Sequence, residues 1–311
     1  MEYNSVAILL TENCNASCKM CCDSRGRVRG KTLSKSEIET ILSNINDCPT
    51  IQTIGITGGE PMLYPDLCEY IFNYPFDREV SFTIKTNGFW GKNKEKANNF
   101  LKRNKNKIAE VSFSYDEFHK EFIDIKHLKT LIDLCLDNEI YTNVVGCFLK
   151  TGLQPGDILN EFGKHAYKTE FFYQPVVKTG SASDFDDSQL NTLINTEKHK
   201  IKCIIMAKQD YTLLINPKLD IYPCCSQFIE NTILRMGNLN EESLSSIVSS
   251  IKFNKVIHTF FTQGFTPFIE FMKKNNIDYP KNLTSHCELC GYLFSNEWFL
   301  EELMDKNYYG D

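Results

Sequence analysis

Residues 6–22 read VAILLTENCNASCKMCC. Five apolar residues, Val6-Ala7-Ile8-Leu9-Leu10, lead into a polar loop that carries Cys14, Cys18 and Cys21 in the spacing C-x3-C-x2-C. An apolar run this short, bounded by polar residues, predicts a buried strand and sets the cysteines on the loop at its carboxyl end. Three thiolates on one tight loop can hold three irons of a four-iron cluster and leave the fourth iron open to a ligand. Clusters that only carry electrons usually close the site with a fourth cysteine. Zinc is the alternative for clustered cysteines, but its usual spacing pairs C-x2-4-C with a second pair further on.

A second loop, Gly58-Gly59-Glu60-Pro61, follows another apolar strand, Ile51 to Thr57. Two glycines let backbone come close to a ligand, and the Glu60 carboxylate can receive a ligand ammonium. Gly-Pro clusters alone only mark turns. One strand–helix unit after the cysteine loop, however, the pair resembles the radical S-adenosylmethionine (SAM) enzymes. In that family the open iron binds the amino and carboxylate groups of SAM, and the second loop contacts the SAM amino group.

The 311 residues are 42% hydrophobic and 24% charged, ordinary for one large or two modest globular domains. No apolar run reaches the length of a membrane span and no signal-peptide pattern opens the chain, so a cytoplasmic protein without a membrane partner is expected. Thirteen cysteines without an export signal point to metal rather than disulfides. A net charge of −6 argues against nucleic acid as the main partner.

Up to about residue 175 short apolar runs alternate with helix-like segments. Further strands are expected at Val80–Lys85, Val111–Ser114, Tyr141–Phe148 and Glu170–Gln174. Ser34-Lys35-Ser36-Glu37 fits a capping box, Pro65 opens a second helix, and Lys126 to Asp137 reads as another. Six such units predict an α/β fold, a partial (β/α)6 TIM-type barrel, with its polar motifs just after the strands where sites form. Residues 177–200 look like a linker. Beyond them come a hairpin-like segment, Tyr211 to Tyr222, then Pro223-Cys224-Cys225, and finally Cys287-Glu288-Leu289-Cys290-Gly291. The expected division is a core domain, 1–180, and a small α+β auxiliary domain, 181–311. Cys203, one of the adjacent pair, Cys287 and Cys290 make four metal ligands, and spacing alone fits zinc or iron–sulfur. In an extended segment adjacent side chains point to opposite sides, so only one of Cys224 and Cys225 can face that metal. The residues do not say which.

This second half resembles the auxiliary iron–sulfur cluster domain (SPASM or twitch type) appended to radical SAM enzymes that modify peptides. More closely, the chain resembles radical SAM peptide epimerases of the epipeptide type, which convert L-residues of a ribosomal peptide to D-residues. The motifs that carry the likeness are CNASCKMCC at 14–22, TGGE at 57–60, NGFWG at 87–91, SYDEFH at 114–119, IYPCCS at 221–226 and CELCG at 287–291. The interval between Cys203 and Tyr211 is longer than the family pattern.

The resemblance implies two [4Fe-4S] clusters and SAM as cofactors. Cys14, Cys18 and Cys21 would hold the first cluster; Cys203, Cys224, Cys287 and Cys290 would hold the second. Gly58, Gly59, Glu60, Thr86, Asn87, Ser114 and Asp116 would bind SAM. Thr86 and Asn87 also fit an ordinary turn, and Asp116 a helix cap. Cys225 becomes the thiol that returns hydrogen to the opposite face of a substrate α-carbon. The implied partners are a short ribosomal precursor peptide and an external electron donor. A peptide crosslinking enzyme is the nearest rival and leaves Cys225 without a role. An iron–sulfur electron carrier or redox sensor is the other, and the open three-cysteine loop followed by GGEP opposes it.

Among the remaining residues, Cys22 reads as a packed thiol behind the cluster loop, and Cys48, Cys68, Cys135 and Cys147 as small core residues. His119 suits a structural hydrogen bond. The basic stretch from Lys92 to Lys107 reads as a solvated helix face, with docking of an acidic leader peptide as the alternative. The first strand begins within a few residues of Met1, and no separate peptide-recognition domain is expected.

Overall fold

A computed structural model describes residues 2–22, 30–198, 200–203, 211–226, 228–251 and 253–295. Six strands, β1 (Ser5–Thr11), β2 (Thr53–Gly58), β3 (Ser81–Thr86), β4 (Ile108–Ser114), β5 (Tyr141–Phe148) and β6 (Glu170–Pro175), pair in parallel in chain order. Five helices fill the crossovers: α1 (Lys35–Asn46), α2 (Pro65–Phe72), α3 (Lys94–Asn104), α4 (Ile125–Asp137) and α5 (Pro155–Phe162). Parallel strands need such crossovers, and a right-handed succession of them curls the sheet toward a barrel.

Local chemistry sets the helix ends. Ser34 and Glu37 form the anticipated capping box on α1, which buries Ile38, Ile41, Leu42 and Ile45 along one face. At its other end the Arg78 guanidinium donates to the carbonyls of Ile45, Asn46, Cys48 and Ile51. Charged donors placed on these last carbonyls complement the helix dipole. The Lys107 ammonium closes α2 in the same way through the Phe72 carbonyl.

The sheet continues on the free edge of β1. Strand β8 (Thr212–Ile215) pairs parallel to β1, β9 (Asp220–Tyr222) antiparallel to β8, and β10 (Gly237–Asn238) antiparallel to β9. The result is one nine-stranded sheet, ordered β10-β9-β8-β1-β2-β3-β4-β5-β6. Helices α6 (Leu244–Ile251), α7 (Lys255–Gln263), α8 (Thr266–Lys274) and α9 (His286–Phe294) follow. Residues 177–200, expected as a plain linker, instead form short 3-10 turns, Gly180–Asp184 and Asp187–Gln189, and strand β7 (Ile194–Asn195), which pairs with β11 (Asn282–Leu283). Buried Ala182 ties that segment to the cysteine loop, a tertiary contact that polar composition conceals.

Strand alternation divides the core from the site. Val6, Ile8, Ile54, Ile56, Phe82, Ile84, Val111 and Phe113 face the helices and are buried. Their neighbours Ser5, Ala7, Thr53, Gly55, Thr83, Lys85, Glu110, Ser112 and Asn143 face inward and line a cavity of about 1210 Å³. Barrels of this class usually fill the interior with branched apolar side chains. Small and polar residues leave this one open. No helix among the described residues is long and apolar enough to cross a membrane.

Candidate active site

The loop after β1 is gripped from three sides. Thr11 is fully buried and shares a 2.7 Å hydroxyl hydrogen bond with Thr32. The Asn13 amide donates to the Thr32 hydroxyl and to the Tyr64 hydroxyl, and its oxygen accepts from the Gly30 N–H. The Gly-Gly-Glu loop after β2 is stapled alongside: the Gly59 N–H donates to the Thr11 carbonyl at 2.7 Å and the Glu60 N–H to the Asn13 carbonyl at 2.8 Å. A Cβ on Gly59 would lie 2.2 Å from the Asn13 carbonyl oxygen. The glycines therefore serve close approach to the cysteine loop itself. On the third side Gly180, at φ +58°, abuts the Cys22 carbonyl, and the Ser181 N–H donates to the Cys21 carbonyl at 2.9 Å.

Cys18 is buried, and Cys14 and Cys21 are partly buried around Ala16, Phe118, Leu149 and Val176. Burial pushes the Cys14 thiol up to about 11 and the Cys18 thiol further, with the Glu60 carboxylate adding to the first and Asp116 to the second. Thiols in such surroundings lose their protons when a metal takes the proton's place. Three of them on one loop are a donor set that fits a cluster with one open iron.

Glu60 joins the two loops to β3. Its carboxylate is wholly buried; one oxygen accepts from the Met62 N–H and the Thr86 hydroxyl, the other from the Asn87 N–H at 2.7 Å. Burial raises its pKa to about 7 while those donors pull it down. The Asn87 amide then donates to the Asn15 side chain at 2.8 Å and faces the Cys14 sulfur at 3.9 Å. Glu60, Thr86 and Asn87 thus form one buried chain that ends on the cysteine loop.

Asp116 is equally committed. One oxygen accepts from the N–H groups of Phe118 and His119 and sits 2.8 Å from His119 Nδ1; the other accepts from the Cys147 N–H. Burial works against this carboxylate, but His119 and the N–H donors outweigh it and hold its pKa below the ordinary value. No helix starts here: Asp116 closes the turn of residues 117–122, and the next helix, α4, is capped by Asp124 instead. Ser114 closes β4 opposite Val145 and is partly buried. Cys48, Cys68 and Cys135 lie in the core, whereas Cys147 is partly buried against the cysteine loop.

The second cysteine set converges. Cys203, Cys224, Cys287 and Cys290 line one apolar cavity walled by Phe260, Phe265 and Phe294. Cys287 and Cys290 share a face of α9, whose start is capped by Ser285 and Glu288. Burial drives the Cys224 and Cys290 thiols well above their usual pKa, and neighbouring cysteines add to it. One buried thiol, Cys290, and three partly buried ones, Cys203, Cys224 and Cys287, around an apolar chamber are a donor set that fits an iron–sulfur cluster.

Cys225 lines the other cavity, the barrel interior, and is exposed there. Strand β9 runs back toward the amino end of β1, and the Tyr3 hydroxyl donates to the Pro223 carbonyl at 3.0 Å. Cys225 therefore stands at the amino end of the barrel. The Cys14–Cys21 loop stands at the carboxyl end, about 20 Å away along β1 at 3.3 Å per residue. Cys22 departs from expectation: it is exposed and lines the same cavity, because Gly180 holds its backbone to the cavity wall.

Comparison with known proteins identifies two domains in this geometry. Residues 8–134 match the radical SAM superfamily, and residues 203–291 match the SPASM iron–sulfur cluster-binding domain. The chain carries a radical SAM domain and a SPASM domain. Its cofactors are SAM, a four-iron cluster for the first domain and a further iron–sulfur cluster for the second. It is 26% identical over 310 residues to the "Putative peptide biosynthesis protein YydG" of Bacillus subtilis (strain 168), covering 95% of this chain and 93% of that one. Among solved structures, anSMEcpe with bound AdoMet and Cp18Cys peptide superposes with a TM-score of 0.59 at 14% identity, covering 98% of both chains. BtrN in complex with AdoMet and 2-DOIA does so with a TM-score of 0.52 at 14% identity, covering 96% of both. At that identity the likeness speaks to the fold alone.

Three features of the radical SAM barrel escape the sequence motifs. Gly180 lies in a segment that composition marks as linker. Tyr3 precedes the first strand, and no local pattern links it to Pro223. The polar interior of β3 to β5 shows only as alternating Thr83, Lys85, Glu110 and Ser112, which equally suits a solvent face. The basic stretch on α3 is partly spent within the chain, since Arg103 pairs with Glu69 at 2.6 Å and Lys107 caps α2.

Proposed function

We propose that this enzyme inverts residues of a short ribosomal precursor peptide from L to D, with residues 1–180 removing an α-hydrogen and residues 181–311 supplying its replacement. The observation that carries the reading is the divergence of two adjacent cysteines, Cys224 into the SPASM chamber and Cys225 into the barrel. A thiol at the end of the cavity opposite the cysteine loop is what inversion requires and what crosslinking leaves unused. The similarity to a protein named for peptide biosynthesis supports a peptide substrate.

In this reading Cys14, Cys18 and Cys21 hold the first cluster, with the loops of Gly58, Gly59 and Glu60, Thr86 and Asn87, and Ser114 and Asp116 around SAM. Cys203, Cys224, Cys287 and Cys290 hold the second. With the first cluster and SAM bound, the site supplies one-electron cleavage of SAM and with it removal of hydrogen from an unactivated Cα–H. The barrel holds the peptide between its two ends, with Cys225 at the end opposite the cysteine loop. Cys225 gives one hydrogen atom to the far face of the α-carbon radical, forming a C–H bond and breaking S–H. One electron from an external donor and one proton from solvent then restore the thiol.

Cys225→Ala tests this directly. The variant should still release 5′-deoxyadenosine from SAM in the presence of a short ribosomal peptide that the wild-type enzyme converts, while D-residues disappear from the product. Normal inversion by the variant contradicts the reading, and a product two hydrogens lighter without inversion supports crosslinking instead.

A further inference from the structure

The inner wall of β3 to β5 carries a hydrogen-bond chain whose direction is fixed by chemistry. Asn143 sits between Ser112 and Glu110, with one end of its amide 2.8 Å from the Glu110 carboxylate and the other 2.6 Å from the Ser112 hydroxyl. A carboxylate only accepts, so the Asn143 nitrogen must face Glu110 and its oxygen must face Ser112. Ser112 then spends its one hydrogen on Asn143. What remains toward the cavity is acceptor capacity: the lone pairs of Ser112 and the second oxygen of Glu110. Directly beside Ser112 across the β3–β4 ladder stands Lys85, exposed to the cavity and without an ion-pair partner among the described residues.

A fixed row of donor and acceptors matches one chemical object well. A peptide main chain presents a C=O and an N–H on either side of each α-carbon, and both must be held to aim one Cα–H. Apolar side-chain recognition needs none of these groups. The wall lies between the cysteine loop at one end of the cavity and Cys225 at the other, where the proposed reaction puts the α-carbon. Solitary polar groups inside a barrel are costly unless they meet partners.

We propose that Lys85, Ser112 and Glu110, aligned by Asn143, bind the main chain of the substrate peptide, Lys85 donating to a carbonyl and Glu110 and Ser112 accepting from N–H groups beside the inverted residue. This rests on the peptide-epimerase reading. The four act as positioning residues; none of them exchanges hydrogen with the α-carbon.

The test uses the peptide that the wild-type enzyme converts, with anaerobically reconstituted full-length protein. Lys85→Met and Glu110→Gln should each raise KM for the peptide on the order of 10-fold, with iron content and SAM affinity at wild-type levels and Lys85→Arg recovering most of the loss. Lys218→Met removes the same charge from the β8–β9 side and should leave KM unchanged. N-methylation of the amide beside the inverted residue should weaken the wild type similarly and cost Glu110→Gln nothing more. Unchanged KM in Lys85→Met and Glu110→Gln, an equal effect of Lys218→Met, or additive losses from methylation and Glu110→Gln overturns the proposal. If the wild type converts no peptide, the epimerase reading itself has failed, and that outcome is recognised before any variant is compared.

Discussion

Cys224 and Cys225 are joined by one peptide bond and open into different chambers, Cys224 into the four-cysteine cavity and Cys225 into the barrel. The turn that separates them is held by Tyr3, whose hydroxyl reaches the Pro223 carbonyl across 220 positions of sequence. Swapping the two side chains' duties would require rotating a bend whose Pro223 is buried and hydrogen-bonded to Tyr3. Their roles are therefore expected to be non-interchangeable.

Iron analysis separates them. Cys224→Ala should lose the iron and sulfide of the second cluster, because three thiolates remain in a chamber built for four. Cys225→Ala should keep the full iron content of both. The measurement is iron and sulfide per chain after anaerobic reconstitution, and retention of all iron by Cys224→Ala would count against its ligand role.

Gly59→Ala should unseat the first cluster without touching a cysteine. Its new Cβ would press to 2.2 Å on the Asn13 carbonyl, a backbone atom that cannot swing aside. The cysteine loop has to shift, so the variant should bind less iron at the first site while far-ultraviolet circular dichroism stays native. Full iron occupancy would show that the two loops tolerate separation.

Glu60→Gln replaces a carboxylate that accepts from three donors by an amide that has one acceptor oxygen. At least one buried donor among Met62, Thr86 and Asn87 loses its partner, at a cost of about 1–3 kcal/mol. A lower melting temperature of the cluster-free protein is expected. An unchanged melt would contradict the linking role of this residue.

Asp220 gives a pH signature. Burial works to raise its pKa, but Arg235, Asn238 and Asn216 bond to the carboxylate and hold it below 3.8. The unfolded chain then binds more protons between the two values, so this carboxylate's contribution is full above about pH 4 and is lost as pH falls through the lower, folded value. Arg235 is half exposed, which limits the contribution to about 1 kcal/mol or less. Asp220→Asn should lower stability at pH 7 by about 1 kcal/mol or less and flatten the acid limb, so that wild type and variant converge in denaturant melts below about pH 4.

Much of this architecture is legible in the sequence because it is local. Val6–Leu10 followed by Cys14, and Ile51–Thr57 followed by Gly58, are strand-then-loop patterns that periodicity reveals, and both loops occur where they are expected. Partnership between distant segments is what sequence hides. Gly59 reads as room for a ligand, yet the atom it spares is the Asn13 carbonyl. Cys22 reads as packed, but Gly180, more than 150 positions later, turns its backbone onto the cavity wall. Alternation says that Cys224 and Cys225 diverge; only the folded chain shows which cavity each one meets.

The central claim is that a solvent-exchangeable thiol delivers the incoming hydrogen. Wild-type turnover in deuterated water, followed by mass spectrometry of the peptide and chiral analysis of its residues, measures that directly. The account predicts one deuterium at the α-carbon of every inverted residue and none elsewhere. D-residues formed without deuterium would mean that the hydrogen comes back from a source other than a thiol, and would contradict the role given to Cys225.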